Sequence, residues 1–261
     1  MIKKKQNFKI SAKYYDKFYQ KKKYTKETNF VSKFFPKNKK KLKILDLGMG
    51  TGSHLINLIK KGHKVDGVEL SLEMINLAKQ KIDNEKILKN YKFYNDDVLN
   101  FRGKKNHYDV ILSLFHVVNY LKNFNSLKTF FLNIHKTINK SGVLLFDCWN
   151  DQIVKNEKLK NTKKTIIINN YKIIRNGKVT KRHSRIKVSY TFKIFKNNKL
   201  LKVFNENHNL YSFSKSQVLK ASKNKFTLIN NCTWFNKKKS PSDVDFSSLF
   251  IFKKKSNNNV I

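Results

Sequence analysis

Apolar positions fall into runs whose spacing changes twice along the chain. Over residues 11–35 (SAKYYDKFYQKKKYTKETNFVSKFF) the aromatics Tyr15, Phe18 and Tyr19, then Phe30 and Phe34, recur at helical spacing. This predicts one or two amphipathic helices, ended by Pro36 and a lysine run. From residue 43 to 149 short apolar runs alternate with amphipathic segments. KILDLG (43–48), KVDGVEL (64–70), YKFYND (91–96), YDVILSLF (108–115) and GVLLFDCW (142–149) read as strands. SHLINLIKKG (53–62), SLEMINLAKQKI (71–82) and FNSLKTFFLNIHKTI (124–138) read as helices, the second N-capped by Ser71. The run at 108–115 is apolar throughout, as a buried parallel strand requires. Strands alternating with helices predict an α/β fold with a doubly wound, mostly parallel sheet.

After Trp149 the period shortens. TIIINNYKII, RIKVSYTFKIF and LLKVFNENHNLYSF are β-rich, separated by turn-like NG (176–177) and NN (197–198), and read as antiparallel strands. A helix at 214–224, capped by Ser214 or Ser216, precedes strands at 226–235 and 246–252. The chain thus divides into a helical N-terminal segment (1–40), an α/β core (41–150), an antiparallel β excursion (151–213), a return to the core (214–252) and a tail (253–261).

Composition sharpens this picture. The 261 residues are 39% hydrophobic, ample for a core. The longest apolar run, around DVILSLFHVV, is far short of the ~20 residues of a membrane span. The basic N-terminus lacks the apolar stretch of a signal peptide, so a cytoplasmic location is expected. Cys148 and Cys232 sit in apolar strands, as buried thiols do, and no metal-ligand spacing occurs. The net charge of +40 points towards nucleic acid, but only four of the 57 basic residues are arginine. Lysine fills almost every solvated position, whereas phosphate recognition favours arginine's fork. The charge therefore reads as a solvated surface that attracts polyanions at low salt.

The chemistry lies in ILDLGMGTGSHL (44–55), a strand, a glycine-rich turn and a helix. The spacing is G-x-G-x-G, with Gly48, Gly50 and Gly52; a dinucleotide fingerprint needs glycine at 53, which is Ser53. Asp46 lies two residues before the first glycine. A carboxylate there fits poorly beside a pyrophosphate but suits a ligand with cationic ends, such as S-adenosylmethionine (SAM). Glu69, 21 residues after Gly48, can accept hydrogen bonds from ribose hydroxyls. Asp97 ends the third strand and can accept from an adenine amino group, with the N–H of Val98 serving a ring nitrogen.

Taken together, LDLGMGTG, VDGVELS, NDDVLNF and YDVILSLFHVVNYL resemble the first four motifs of class I SAM-dependent methyltransferases. The resemblance covers residues 11–150 and returns at 214–252. It implies a Rossmann-like sheet with an antiparallel last strand, and SAM as cofactor. The excursion at 151–213 resembles the sheet that roofs the acceptor pocket of glycine/sarcosine N-methyltransferases and aminosugar N,N-dimethyltransferases. That implies methylation of an N or O atom on a small polar acceptor of sugar, nucleotide-sugar or amino-acid type.

Ligands of open α/β sheets bind beyond the carboxyl ends of the strands. His116 there could take the acceptor's proton, or pack against the cofactor. Asn119 could orient the acceptor, or cap locally. Trp149 ends the fifth strand. YYDKFYQKKKY resembles a segment that folds over the cofactor, which would bring Tyr19 or Tyr24 to the ligand; helix packing explains the stripe equally. Glu206 and His208, two apart on a strand, could face the pocket or the sheet surface. Arg182, Arg185 and His183 could pair with a substrate phosphate or carboxylate, or be solvated. Two rivals remain. An RNA or DNA methyltransferase is favoured by charge, yet neither an Asn/Asp-Pro-Pro-Tyr tetrad nor a Pro-Cys nucleophile is present. The other is a SAM-binding protein without catalysis. No motif encodes the acceptor atom or the oligomeric state.

Overall fold

The computed structural model describes residues 8–87, 91–156 and 159–255. The aromatic stripe at the N-terminus forms two helices, α1 (Ala12–Phe18) and α2 (Tyr24–Ser32). The lysine run then gives way to β1 (Lys43–Leu47), which alternates faces: Ile44 joins one apolar cluster, Leu45 and Leu47 another. The chain continues through α3 (Ser53–Lys60), β2 (Lys64–Glu69), α4 (Leu72–Asn84), β3 (Tyr91–Asn95), β4 (Tyr108–Ser113), α5 (Phe124–Thr137) and β5 (Ile138–Trp149). Ser71 caps α4 by accepting from the Met74 N–H, and Asn123 caps α5 through Ser126. Every residue of β4 is buried, as its unbroken apolar run requires.

The strands β1 to β5 pair in parallel. After the excursion, α7 (Lys215–Ser222) starts with a capping box of Ser214 and Gln217. Then β10 (Phe226–Cys232) and β11 (Ser247–Lys254) close the edge, β11 antiparallel to both β10 and β5. The seven-stranded order is β10-β11-β5-β4-β1-β2-β3. Helices α2, α3 and α4 cover one face; α5 and α7 cover the other. Cys148 and Cys232 are buried free thiols, and burial raises both above the ordinary thiol range.

Between α6 (Asp151–Lys155) and α7 lies a four-stranded meander, β6 (Thr162–Ile168), β7 (Tyr171–Arg182), β8 (Arg185–Lys196) and β9 (Lys199–Tyr211). Its turns fall at Asn169–Asn170, His183–Ser184 and Asn197–Asn198, and Asn169, His183, Asn197 and Asn198 have positive φ. The NG pair at 176–177 is therefore not a turn: it lies inside β7, opposite Thr191 and Tyr190. Glycine is there for clearance, because a Cβ at Gly177 would come within 2.8 Å of the Tyr190 ring. Phe18 of α1 packs with Ile173, Phe192 and Ile194, tying this sheet to the N-terminal helix. Among the described residues no helix is long and apolar enough to cross a membrane.

Candidate active site

The glycine loop sits at the carboxyl end of β1. Gly48, Gly50 and Gly52 all have positive φ, which side-chain-bearing residues rarely adopt. At Gly48 a Cβ would also lie 2.5 Å from Val117, so the loop passes tightly under the turn after β4. A Cβ at Gly50 would meet nothing within 4 Å, which leaves an open cradle beside the loop.

Asp46 and Glu69 face this cradle from two strand ends. Asp46 is 2% exposed, and its Oδ2 has no hydrogen-bond partner. Burial, with the nearby Glu69 charge adding to it, pushes its carboxyl up to about 6, against the pull of His54. A buried carboxylate oxygen without a donor is costly unless a ligand supplies one. Glu69 accepts from the Gly50 N–H at 3.0 Å and the Ser71 N–H at 2.9 Å. It therefore holds the loop as well as facing the cradle; burial raises its carboxyl, against the pull of these amides. Asp97 accepts from the Leu99 N–H at 2.9 Å and closes the turn after β3, where Val98 packs partly buried. This donor set fits SAM: an unpartnered anion for a cationic end, a carboxylate at the end of the neighbouring strand for ribose hydroxyls, and an open backbone cradle.

The N-terminal helices close over the loop. Asp16 accepts from Thr51 Oγ1 at 2.6 Å and pairs with Lys81 at 2.9 Å. Half-buried Lys22 and buried Glu27 and His54 form a second chain at 2.5 and 2.7 Å. Burial alone would raise the Glu27 carboxyl, but the His54 hydrogen bond and the Lys22 charge hold it low. Tyr24 packs edge-on against His54, and burial raises its phenol. Tyr19 packs edge-on against Phe115 and over Tyr15, with Arg175 reaching its hydroxyl at 3.4 Å.

The meander supplies the opposite wall. His208 is 2% exposed and bridges two partners: its Nε2 faces Glu206 Oε1 at 2.8 Å, and its Nδ1 faces the Tyr120 hydroxyl at 2.8 Å. Ser11 donates to the other Glu206 oxygen at 2.7 Å. An ionised carboxylate only accepts, so Nε2 carries the proton and Nδ1 accepts from Tyr120. Glu206 and His208 thus face inward, not the sheet surface. Tyr120 follows β4 on a short turn; burial raises its phenol, as do the neighbouring charges of Glu206 and Glu69. Arg175 is 6% exposed; its guanidinium stacks on Phe18, Tyr19 and Tyr190, and its Nε has no partner.

His116, with φ of 66°, turns the chain between β4 and Val117. Its N–H donates to Asp147, and its Nε2 contacts Ser247 Oγ at 2.5 Å, with Asp147 Oδ2 3.5 Å away. Burial lowers its imidazole, and Asp147 pulls it partly back. Asn119 spends its side-chain amide on internal contacts. It is 0% exposed; its Nδ2 donates to the Tyr211 carbonyl and its Oδ1 accepts from the Trp149 N–H, both at 2.9 Å. It is a positioning residue that ties the turn after β4 to the ends of β5 and β9. Trp149 packs on Phe246 and near His116. Arg182 lies apart, exposed at the far hairpin of the meander.

Sequence reasoning missed Asp16, Tyr120 and Arg175. Arg175 carried a signal, a rare arginine within an apolar strand; Tyr120 and Asp16 gain meaning only from cross-chain contacts.

The sheet order, with its antiparallel last strand, defines a Rossmann-like fold, one that solved SAM-dependent methyltransferases share. Residues 44–142 match the family described as methyltransferase domain. The Bacillus subtilis protein YqeM, named as a methyltransferase, is 31% identical over 136 residues, 52% of this chain and 53% of its own length. The dTDP-3-amino-3,4,6-trideoxy-alpha-D-glucopyranose N,N-dimethyltransferase of Streptomyces venezuelae is 27% identical over 107 residues, 41% of this chain and 42% of its own. The chain thus spans about half the length of the curated relatives it matches. A SAM-dependent methyltransferase from Clostridium acetobutylicum superposes with a TM-score of 0.78 at 20% identity, covering 94% of this chain and 98% of its own.

Proposed function

We propose that the protein transfers a methyl group from SAM to an N or O atom of a small polar acceptor. The observation that carries this reading is Asp46: a buried carboxylate oxygen without a donor, beside an open glycine cradle. Asp46 would take a cationic end of SAM, Glu69 its ribose hydroxyls, and Asp97 with the Val98 N–H its adenine. Tyr19 and Tyr24 would close over it from the N-terminal helices. When bound, SAM supplies an electrophilic methyl.

The chain's own residues hold and deprotonate the acceptor. The acceptor would lie under the meander among Tyr19, Tyr120 and Tyr190, with Trp149 at the rim. Two groups could take its proton in this reading. One is His116, backed by Asp147. The other is the Tyr120 hydroxyl, which would accept from the acceptor while passing its own proton to His208 Nδ1; the Glu206 carboxylate then faces an imidazolium. The buried, unpartnered Nε of Arg175 suits an anionic group on the acceptor. The relative from Streptomyces venezuelae is named for an aminosugar, which supports testing that acceptor class first.

The test incubates the protein with methyl-labelled SAM and a panel of aminosugar nucleotides, free sugars, amino acids and RNA. Label moving to one small acceptor supports the reading. Label moving only to RNA supports the rival reading that the charge of +40 favours. SAM bound but never consumed supports a non-catalytic role.

A further inference from the structure

A second cavity lies away from the glycine loop. Its volume is about 640 Å³, and it opens between the start of α5 and the hairpin joining β7 to β8. Lys122, Lys181, Arg182, Arg185 and Lys187 line it with Asn123, and among the described residues no carboxylate does. In a chain this basic, lysines around a cavity carry little information. The arginines carry more. Only four occur among 57 basic residues, and two of them line this one cavity. The other two have internal work. Arg102 donates to the carbonyls of Leu99, Asn100 and Phe101, and Arg175 is buried among aromatic rings. Among the described residues, neither the Arg182 nor the Arg185 guanidinium has a hydrogen bond or ion pair.

The hairpin also sets these two against each other. Arg182 and Arg185 are directly paired across the strands, flanking the two-residue turn His183–Ser184. Like charges facing across a ladder destabilise it. An anion between them turns that repulsion into two charge-assisted contacts. Lys187 sits opposite Thr180 on the same hairpin, and Lys122 adds a cation from the other wall. Lys181 is already bound to the carbonyls of Val154 and Lys155. Among the described lining residues the other four cations face no carboxylate, which is more positive charge than a single carboxylate on a ligand neutralises. The volume also exceeds that of a single phosphate and falls within the range of small-ligand pockets.

We propose that this cavity binds a diphosphate group through the paired guanidiniums of Arg182 and Arg185. The binding does not depend on methyl transfer. Ile186 and Leu210 line the cavity and also pack in the cluster that carries Tyr120 and Trp149. An anion here would therefore lie one layer of side chains from the acceptor wall.

The test is calorimetry at physiological salt with inorganic pyrophosphate and with ADP. Three proteins are compared: the natural protein, Arg182→Lys/Arg185→Lys, which keeps the net charge, and Lys199→Gln/Lys202→Gln, which lowers it at exposed positions elsewhere on β9. The natural protein is expected to bind at one site. The arginine variant is expected to lose about tenfold or more, since lysine lacks the fork, and the lysine variant to change little. Equal affinity for the two ligands means the diphosphate alone is read; tighter ADP binding means the ligand is a nucleotide, and both support the site. Matched melting temperatures exclude misfolding, and single Arg185→Lys serves if the double variant is unstable. The proposal is overturned if pyrophosphate does not bind, if the arginine variant binds like the natural protein, or if AMP binds as well as ADP. It is also overturned if an RNA of about 20 nucleotides binds more tightly than ADP and both variants weaken it equally, because the diffuse field would then explain the binding.

Discussion

At the residue scale, two carboxylates near one loop do different work because their surroundings differ. Glu69 has two amide donors; Asp46 has an oxygen with none. Changing Glu69 to Ala is expected to weaken SAM binding by about 1.5–3 kcal/mol, the typical worth of a hydrogen bond to a charged group; calorimetry reads it, and unchanged affinity refutes the ribose assignment. Asp46 also has a signature in stability. Its folded carboxyl titrates at about 6, above its ordinary value, so the folded state holds the extra proton. Its contribution is therefore favourable at low pH and is lost as pH rises through about 6. The two candidate proton acceptors separate by their variants. Changing His116 to Ala should lower turnover more than SAM affinity if it is the base. If Tyr120 and His208 carry the proton instead, His208→Gln should lower turnover more than SAM affinity while His116→Ala leaves turnover near that of the natural protein.

At the element scale, much of the core was legible because each strand end carries its own local signal. Continuous apolar runs marked buried parallel strands, and Ser71 and Ser214 announced their helices by side-chain capping. The meander was legible as β and in its NN turn at 197–198, but not in its other two turns. NG at 176–177 has the chemistry of a turn, yet tertiary packing against Tyr190 claimed that glycine. The true turns at 169–170 and 183–184 use Asn and His in the left-handed region, a weaker signal. The site was legible where it depends on one strand end, as at Asp46, Gly48 and Glu69. It was not where it depends on distant chain crossings: the Tyr120–His208 contact spans 88 residues and the Ser11–Glu206 contact 195. Asn119 was legible as a polar residue at a strand end, but its joining of three elements through Tyr211 and Trp149 was not. Changing it to Ala leaves a buried carbonyl and a buried N–H without partners, an expected loss of about 2–4 kcal/mol in chemical denaturation. A loss below about 1 kcal/mol would contradict that role.

For the whole molecule, charge and fold act on different properties. The net charge of +40 sits mostly on lysines, and it repels itself without specifying a ligand. Added salt should therefore raise the melting temperature between low and physiological ionic strength; a fall would mean that attractive pairs outweigh the repulsion. The fold instead converges three strand ends, two N-terminal helices and a four-stranded roof on one cradle. The most direct test of that account is SAM binding by calorimetry at about pH 7 and about pH 5, with the natural protein and with Asp46→Asn. A cationic ligand needs Asp46 ionised, and that group titrates at about 6. The natural protein should bind SAM at one site and roughly tenfold more weakly at the lower pH, one unit below that midpoint. Asp46→Asn should bind weakly and equally at both. Natural-protein affinity that ignores pH, or an Asp46→Asn protein that binds as tightly as the natural one, would contradict it.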